Sequence, residues 1–208
     1  MSSSIKLIVG LGNPGPEYLL TRHNAGFWFL DVLASAHALT FRSESKFHSG
    51  VCRLRFSGYD CLLCKPMTFM NRSGQAVQAI ASYYKIGPRE ILIAHDEIDL
   101  APGVIRFKQG GGHAGHNGVR DIIEKLGSSE FNRLRIGVGH PGNSNEVINS
   151  VLGRPSATEE ALIMESIGKA VELIPQILAA EFQEVMHRLH TSQSQDTSNK
   201  SQENDKND

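Results

Sequence analysis

The chain reads as an α/β protein, a single-domain three-layer α/β/α sandwich around a mixed, mostly parallel central sheet. Three observations predict it. Short apolar runs, IKLIV (residues 5–9), EILIAHD (90–96) and LRIGVG (134–139), have the length and composition of buried strands. Segments with apolar residues at helical spacing alternate with those runs. Two further strand-like runs, 47–56 and 59–65, are separated only by Ser57-Gly58, a hairpin signal that mixes the strand directions.

The elements follow in order. The first strand, Ile5–Val9, runs into Gly10. The helix after it starts late, because Pro14 and Pro16 hold Asn13 and Gly15 away from helical angles. Thr21 is its expected N-cap, and Phe27, Leu30, Leu33 and Ala34 form its apolar stripe. Beyond the hairpin, 71–84 has helical spacing and stops at Gly87-Pro88. A strand over Val104–Gln109, a glycine run at 110–112 and a helix over 118–126 come next. Residues 156–190 are helical in pattern, with Pro175 as a kink or break.

A chain of 208 residues with 40% hydrophobic residues supports one core, assigned to residues 1–190. Residues 191–208 have no apolar side chain and carry four acids against two lysines, a composition expected to be disordered. No run reaches the roughly 18 apolar residues of a membrane span, and the N-terminus lacks a signal-peptide pattern, so a cytoplasmic protein is expected. Cys52, Cys61 and Cys64 are too few for a disulfide framework. Cys61 and Cys64 lie three apart on a predicted strand, hence on opposite faces, and read as inert sheet cysteines rather than a redox pair.

Gly10, Gly12 and Gly15 have the spacing of a dinucleotide-binding turn. That turn needs a helix starting within the glycines and an acid at a strand end roughly 20 residues on. The prolines oppose the first, and Asp31, the acid at that distance, falls inside a helix. Residues 104–135 hold six basic side chains, Arg106, Lys108, Arg120, Lys125, Arg133 and Arg135, against three acids. By charge alone this is either a solvated face or a phosphate-binding patch.

In open α/β sheets ligands bind beyond the carboxyl ends of the strands. The residues found there are Asn13 and His23, then Phe69, Met70 and Asn71, then Asp96, then His113, His116 and Asn117. The set has no Ser or Cys nucleophile in a recognisable elbow. Its chemistry is a His base activating water, an Asp orienting the imidazole, and amides holding a carbonyl or its oxyanion, which is ester or amide hydrolysis. Each member also has a simpler explanation: Asn71 and Asn117 as helix caps, Asp96 as a turn residue, His23 as a surface histidine. Histidines 113 and 116 would suit a metal, although no complete zinc motif is present.

Together, VGLGNPGPEY, TRHNAG, KPMTFMNRSG, AHDEIDL, GGGHAGHNG and RLRIGVGHP, in that order over residues 8–141, resemble the bacterial peptidyl-tRNA hydrolases. The resemblance implies a cytosolic, usually monomeric enzyme that needs no metal or other cofactor and cleaves the ester between a peptide and the 3′ ribose of tRNA. His23 would be the general base and Asp96 its stabilising partner. Asn13 would help distinguish blocked from unblocked aminoacyl groups. Tyr18, Phe69, Asn71 and Asn117 would contact the tRNA end and the peptide, with Met70 close by. The single-stranded CCA end suits stacking on Tyr18 or Phe69, and the acceptor phosphates suit Lys108 and Arg135. Asn143-Ser144 depart from the family, where a lysine is common, which puts a contact from Ser144 in doubt. The alternatives are a metal-dependent amidohydrolase and a non-catalytic RNA-binding module.

Overall fold

The computed structural model describes residues 3–140, 142 and 147–189. Ser144 and the tail, 191–208, lie outside them. Among the described residues seven strands form one sheet: β1 (Leu7–Gly10), β2 (Arg42–Glu44), β3 (Ser49–Phe56), β4 (Tyr59–Pro66), β5 (Ile91–Glu97), β6 (Ile105–Gln109) and β7 (Asn132–Gly137), in the order β2-β3-β4-β1-β5-β7-β6. The four central strands, β4, β1, β5 and β7, are parallel; β3 and β6 flank them antiparallel, and β2, at the outer edge, pairs antiparallel with β3. Parallel strands need covering on both faces, and the apolar runs supply both.

On one face, α1 (Ala25–Ala36), α5 (Ala157–Val171), α6 (Ile174–Leu178) and a helix over 182–189 close a core that includes Ile8, Phe29, Leu63, Leu134 and Ile177. On the other, α2 (Ser73–Tyr84) and α3 (Asn117–Leu126) close a second core around Leu7, Val9, Val77, Ile93 and Ile122. A short helix, α4 (Val147–Val151), completes the set of described helices. Each fully buried Leu, Ile or Val contributes about 1.5–3 kcal/mol relative to exposure. The three-layer expectation is met. Cys61 belongs to the first core and Cys64 to the second, and burial pushes the Cys64 thiol up to about 12 and Cys52 to about 11. Neither is a thiolate near neutral pH.

Several local expectations are corrected. Thr21 does not cap α1: its hydroxyl donates to Tyr18 O, and a 3₁₀ turn, Arg22–Asn24, leads into the helix. Of the kink or break expected at Pro175 the structure shows the break: α5 ends at Val171 and Pro175 sits in the first turn of α6, where its missing N–H costs nothing. Asn71 lies inside a 3₁₀ turn, Met70–Arg72, and Asn117 is the first residue of α3 behind the actual cap, His116. The short strand β2 was not expected, since RSE has no buried side chain to mark it.

The glycines of the opening motif serve packing. A Cβ at Gly10 would lie 2.2 Å from Gly26 O, and one at Gly26 would lie 2.3 Å from Ala94 O. Helix α1 therefore rests its backbone directly on the ends of β1 and β5. That contact sets the height of the turn before it, which carries His23.

Candidate active site

The carboxyl end of β5 buries three consecutive ionisable side chains, His95, Asp96 and Glu97, at 3%, 2% and 6% exposure. Asp96 is the centre. His23 Nδ1 lies 2.9 Å from both its oxygens, and His116 Nε2 lies 2.9 Å from Oδ1. Burial alone would raise the Asp96 pKa, but the two histidines hold it well below the usual carboxylate range. Burial also opposes a charge on His23, and there the Asp96 carboxylate outweighs it, raising the imidazole above its ordinary 6.5.

Tautomers follow from the partners. His116 Nδ1 accepts from the N–H groups of Gly118 and Val119 at 3.2 and 3.3 Å, capping α3. Its proton is therefore on Nε2 and is donated to Asp96. With His23 Nδ1–H donated to the same carboxylate, His23 Nε2 carries the lone pair; it has no partner among the described residues. Behind them the His95 ring meets His116 edge-on at 4.8 Å, and burial, with His116 next, lowers the His95 pKa to about 3, so it stays neutral.

Neighbouring elements hold the pair in place. Arg22, beside His23, forms an ion pair with Glu159 of α5 at 2.9 Å. Asn24, 1% exposed, accepts from Asn13 N at 2.8 Å and donates to Asn13 O at 3.1 Å. Asn13 Oδ1 in turn accepts from Met70 N at 2.8 Å. Asn13 is thus fixed by both neighbouring loops, with Nδ2 as its uncommitted donor. Met70 is buried beneath the start of α3, where a Cβ on Gly118 would lie 2.5 Å from its sulfur.

A cleft of about 140 Å³ is lined by His23, Asp96, His116, Asn117 and the 114–115 backbone, with Ile98 and Val151 as apolar walls. Tyr18 and Phe69 form an edge-to-face pair at 6.3 Å, and Phe69 is 57% exposed. Asn71 and Asn117 are exposed, and Asn117 Oδ1 accepts from Arg120 at 2.8 Å. Lys108 and Arg135 do not line this cleft. They project from β6 and β7, Lys108 exposed and Arg135 paired through Nε to Glu97 at 2.9 Å. The six basic residues read as one surface do not form one: Arg133 is 4% exposed.

His23, Asp96 and His116 offer ligand atoms within 4.8 Å of one another. The two backbone donors on His116 Nδ1 leave that ring no lone pair for a metal. Two ligands are fewer than the three or four a zinc site needs. Sequence reasoning collected His116 at the strand ends, with a metal as its alternative partner, but gave it no role beside Asp96, and it missed Asn24; the signal for Asn24 was its place in TRHNAG, next to the base.

A buried carboxylate orienting an imidazole at the carboxyl ends of parallel strands, with an amide beside it and no Ser or Cys among the described residues that line the cleft, has the arrangement of a hydrolase. The sequence model of the peptidyl-tRNA hydrolase family matches residues 7–198. The chain is 52% identical over 191 residues to the peptidyl-tRNA hydrolase of Neisseria meningitidis, covering 92% of this chain and 100% of that one. It is 53% identical over 189 residues to that of Pectobacterium atrosepticum, covering 90% and 97%. A crystal structure of the Acinetobacter baumannii peptidyl-tRNA hydrolase superposes with a TM-score of 0.88 at 47% identity, covering 91% of this chain and 96% of that one. The chain belongs to the peptidyl-tRNA hydrolase family.

Proposed function

We propose a mechanism for the activity this family membership gives, hydrolysis of peptidyl-tRNA. His23 Nε2 takes a proton from water, and the oxygen attacks the ester carbonyl carbon. The imidazolium is stabilised by Asp96, which His116 holds from its other side. Asn13 and Asn117 donate to the peptide and to the oxyanion of the tetrahedral intermediate. Collapse breaks the bond to the 3′ ribose oxygen, which takes the proton back from His23, leaving free tRNA and a peptide carboxylic acid that gives its proton to solvent as the carboxylate.

The observation that carries this reading is the 2.9 Å contact of Nδ1 with a carboxylate 2% exposed, which fixes the tautomer a base needs. Tyr18, Phe69, Met70 and Asn71 form the side of the site facing the CCA end and the first peptide units, while Lys108 and Arg135 take acceptor-stem phosphates. The enzyme works as a cytoplasmic monomer without metal or cofactor, and catalysis is confined to residues 1–190. The test is turnover of N-acetylaminoacyl-tRNA by purified chain, with and without a chelator and with residues 191–208 removed. Equal rates in all three are expected. Loss of turnover on chelation would identify a metal-dependent amidohydrolase, and binding without turnover would identify an RNA-binding module.

A further inference from the structure

The loop from Gly110 to His116 carries two members of the site, His116 and Asn117 behind it, yet its own sequence does little to order it. Gly110, Gly111, Ala114 and Gly115 have φ of 62, 104, 46 and 81°, left-handed values that glycine tolerates and alanine does not favour. Such a segment has much conformational entropy to lose. Its ends are held by Gly110 N–H donating to Phe131 O at 3.0 Å and by His116 N–H donating to His113 O at 2.9 Å. Between those ends, the side-chain hydrogen bonds from the rest of the described fold to the carbonyls of Gly111 and Gly112 come from one residue. Arg133 donates from Nη2 to Gly111 O and from Nη1 to Gly112 O, a fork spanning two consecutive carbonyls.

Arg133 is an unusual residue to find there. It sits within β7, beside the second core, and its guanidinium lies 4.8 Å over the Phe131 ring. Glu97, the carboxylate whose charge acts on it, is already engaged by Arg135 Nε and by Asp99 N–H. Arg133 Nε is buried with no hydrogen-bond partner among the described residues. A cation buried without its own carboxylate is poor value for stability, and an apolar side chain of similar volume commonly does as well or better. What an apolar side chain lacks is a planar pair of donors.

We propose that Arg133 is a positioning residue for the hydrolysis: by clamping Gly111 and Gly112 it fixes the loop that aims His116 Nε2–H at Asp96, and so the orientation of His23. Lys108 is drawn into the same arrangement, since a Cβ on Gly111 would lie 3.0 Å from its Nζ. The proposal rests on His23 and Asp96 being the base and its partner.

The experiment compares wild type with Arg133→Met, Arg133→Lys and Ile80→Ala, measuring kcat and KM on N-acetylaminoacyl-tRNA, Tm, and the imidazole 15N signals of His116. Arg133→Met is expected to lower kcat roughly 10- to 100-fold, the scale of a displaced catalytic group. KM and Tm should change little, because the freed carbonyls of Gly111 and Gly112 reach water. His116 should lose its single Nε2–H tautomer. Arg133→Lys, with one point charge for two carbonyls, should fall between, and it carries the test if Arg133→Met does not fold. Ile80→Ala, which loosens the same core at a residue that touches neither the fork nor the loop, should lower Tm with kcat within about twofold of wild type, well short of a displaced group. A kcat near wild type in both Arg133 variants, an unchanged His116 tautomer, or an equal kcat loss in Ile80→Ala would overturn the proposal. The imidazole signals need no turnover, so a wild type inactive on the substrate would overturn the mechanism while Arg133 is still judged on its tautomer effect.

Discussion

The end of β5 and the outer edge of β6 hold charge in opposite ways. Asp96 is 2% exposed and meets two imidazoles, and His116 is fixed in turn by a backbone donor on its Nδ1, so His23 is held through a buried network. Lys108, on β6, is exposed and has no ion pair among the described residues. In the first place water is excluded and interactions are strong; in the second they are screened. The proposed mechanism therefore puts chemistry at the end of β5 and adjustable attraction for a large anionic substrate at the β6 edge. The two regions should answer substitution differently: loss of kcat and a moved pH profile in one, loss of affinity and of salt dependence in the other.

The largest effect is expected at His23. His23→Ala should lower kcat by roughly 100- to 10,000-fold while leaving binding of N-acetylaminoacyl-tRNA nearly intact, because a base acts only in the chemical step. Near-normal turnover would remove it from that role. Asp96→Asn tests the electrostatics separately. His23 must be neutral to act, so kcat/KM in wild type falls as pH drops through its titration, which Asp96 holds above 6.5. The asparagine removes the influence that raises the pKa and leaves the burial that lowers it. The acid limb should move to lower pH while the plateau rate falls. A limb that stayed in place would mean that Asp96 does not set the pKa.

A second large effect concerns substrate choice. An unblocked aminoacyl group brings an ammonium into a cleft where His23 becomes positive during reaction, and sites matched to one polar pattern reject another by up to roughly 10,000-fold. Because Asn13 Oδ1 is committed to Met70 N–H, discrimination at Asn13 falls to Nδ2. Asn13→Asp keeps the acceptor for Met70 and turns the free donor into a carboxylate oxygen, which attracts an ammonium. The ratio of kcat/KM for N-acetylated over free aminoacyl-tRNA should narrow in Asn13→Ala and narrow further in Asn13→Asp. A ratio unmoved by both would exclude Asn13 as the discriminating residue.

Much of this was legible in the sequence where burial and chemistry coincide. EILIAHD announced a buried strand, and the acid at its end had to be partnered or functional. His23 and Asp96 could be named as types of residue, since water activation needs a base and an orienting acid. The wiring between them could not. His116 is one of three histidines within the stretch 95–116, and only the loop geometry turns its Nε2 toward Asp96. Arg133 and Arg135 alternate along one strand with the same charge, and nothing local shows that one is covered by the glycine loop while the other faces Glu97. Net charge over a window counts residues without knowing which are buried.

The smallest effect is the one that best separates the two regions, the phosphate contacts proposed for Lys108 and Arg135. Each lost contact should reduce the slope of log affinity against log salt by roughly 0.7–0.9. The substrate can be kept intact by measuring its binding in a His23→Ala background. Lys108→Ala is the clean case: it leaves no buried partner behind, so Tm should hold while affinity and slope fall. Arg135→Ala is not clean, because it abandons Glu97, whose side chain is only 6% exposed. That variant should lose Tm as well as affinity. Adding Glu97→Gln removes the stranded charge, so the double variant should recover Tm while the salt slope stays reduced. If the slope returned with Tm, Arg135 would be a structural partner of Glu97 and nothing more. If Lys108→Ala left the slope unchanged, the edge of β6 would be an ordinary solvated face, and the attraction for tRNA would have to lie elsewhere on the molecule.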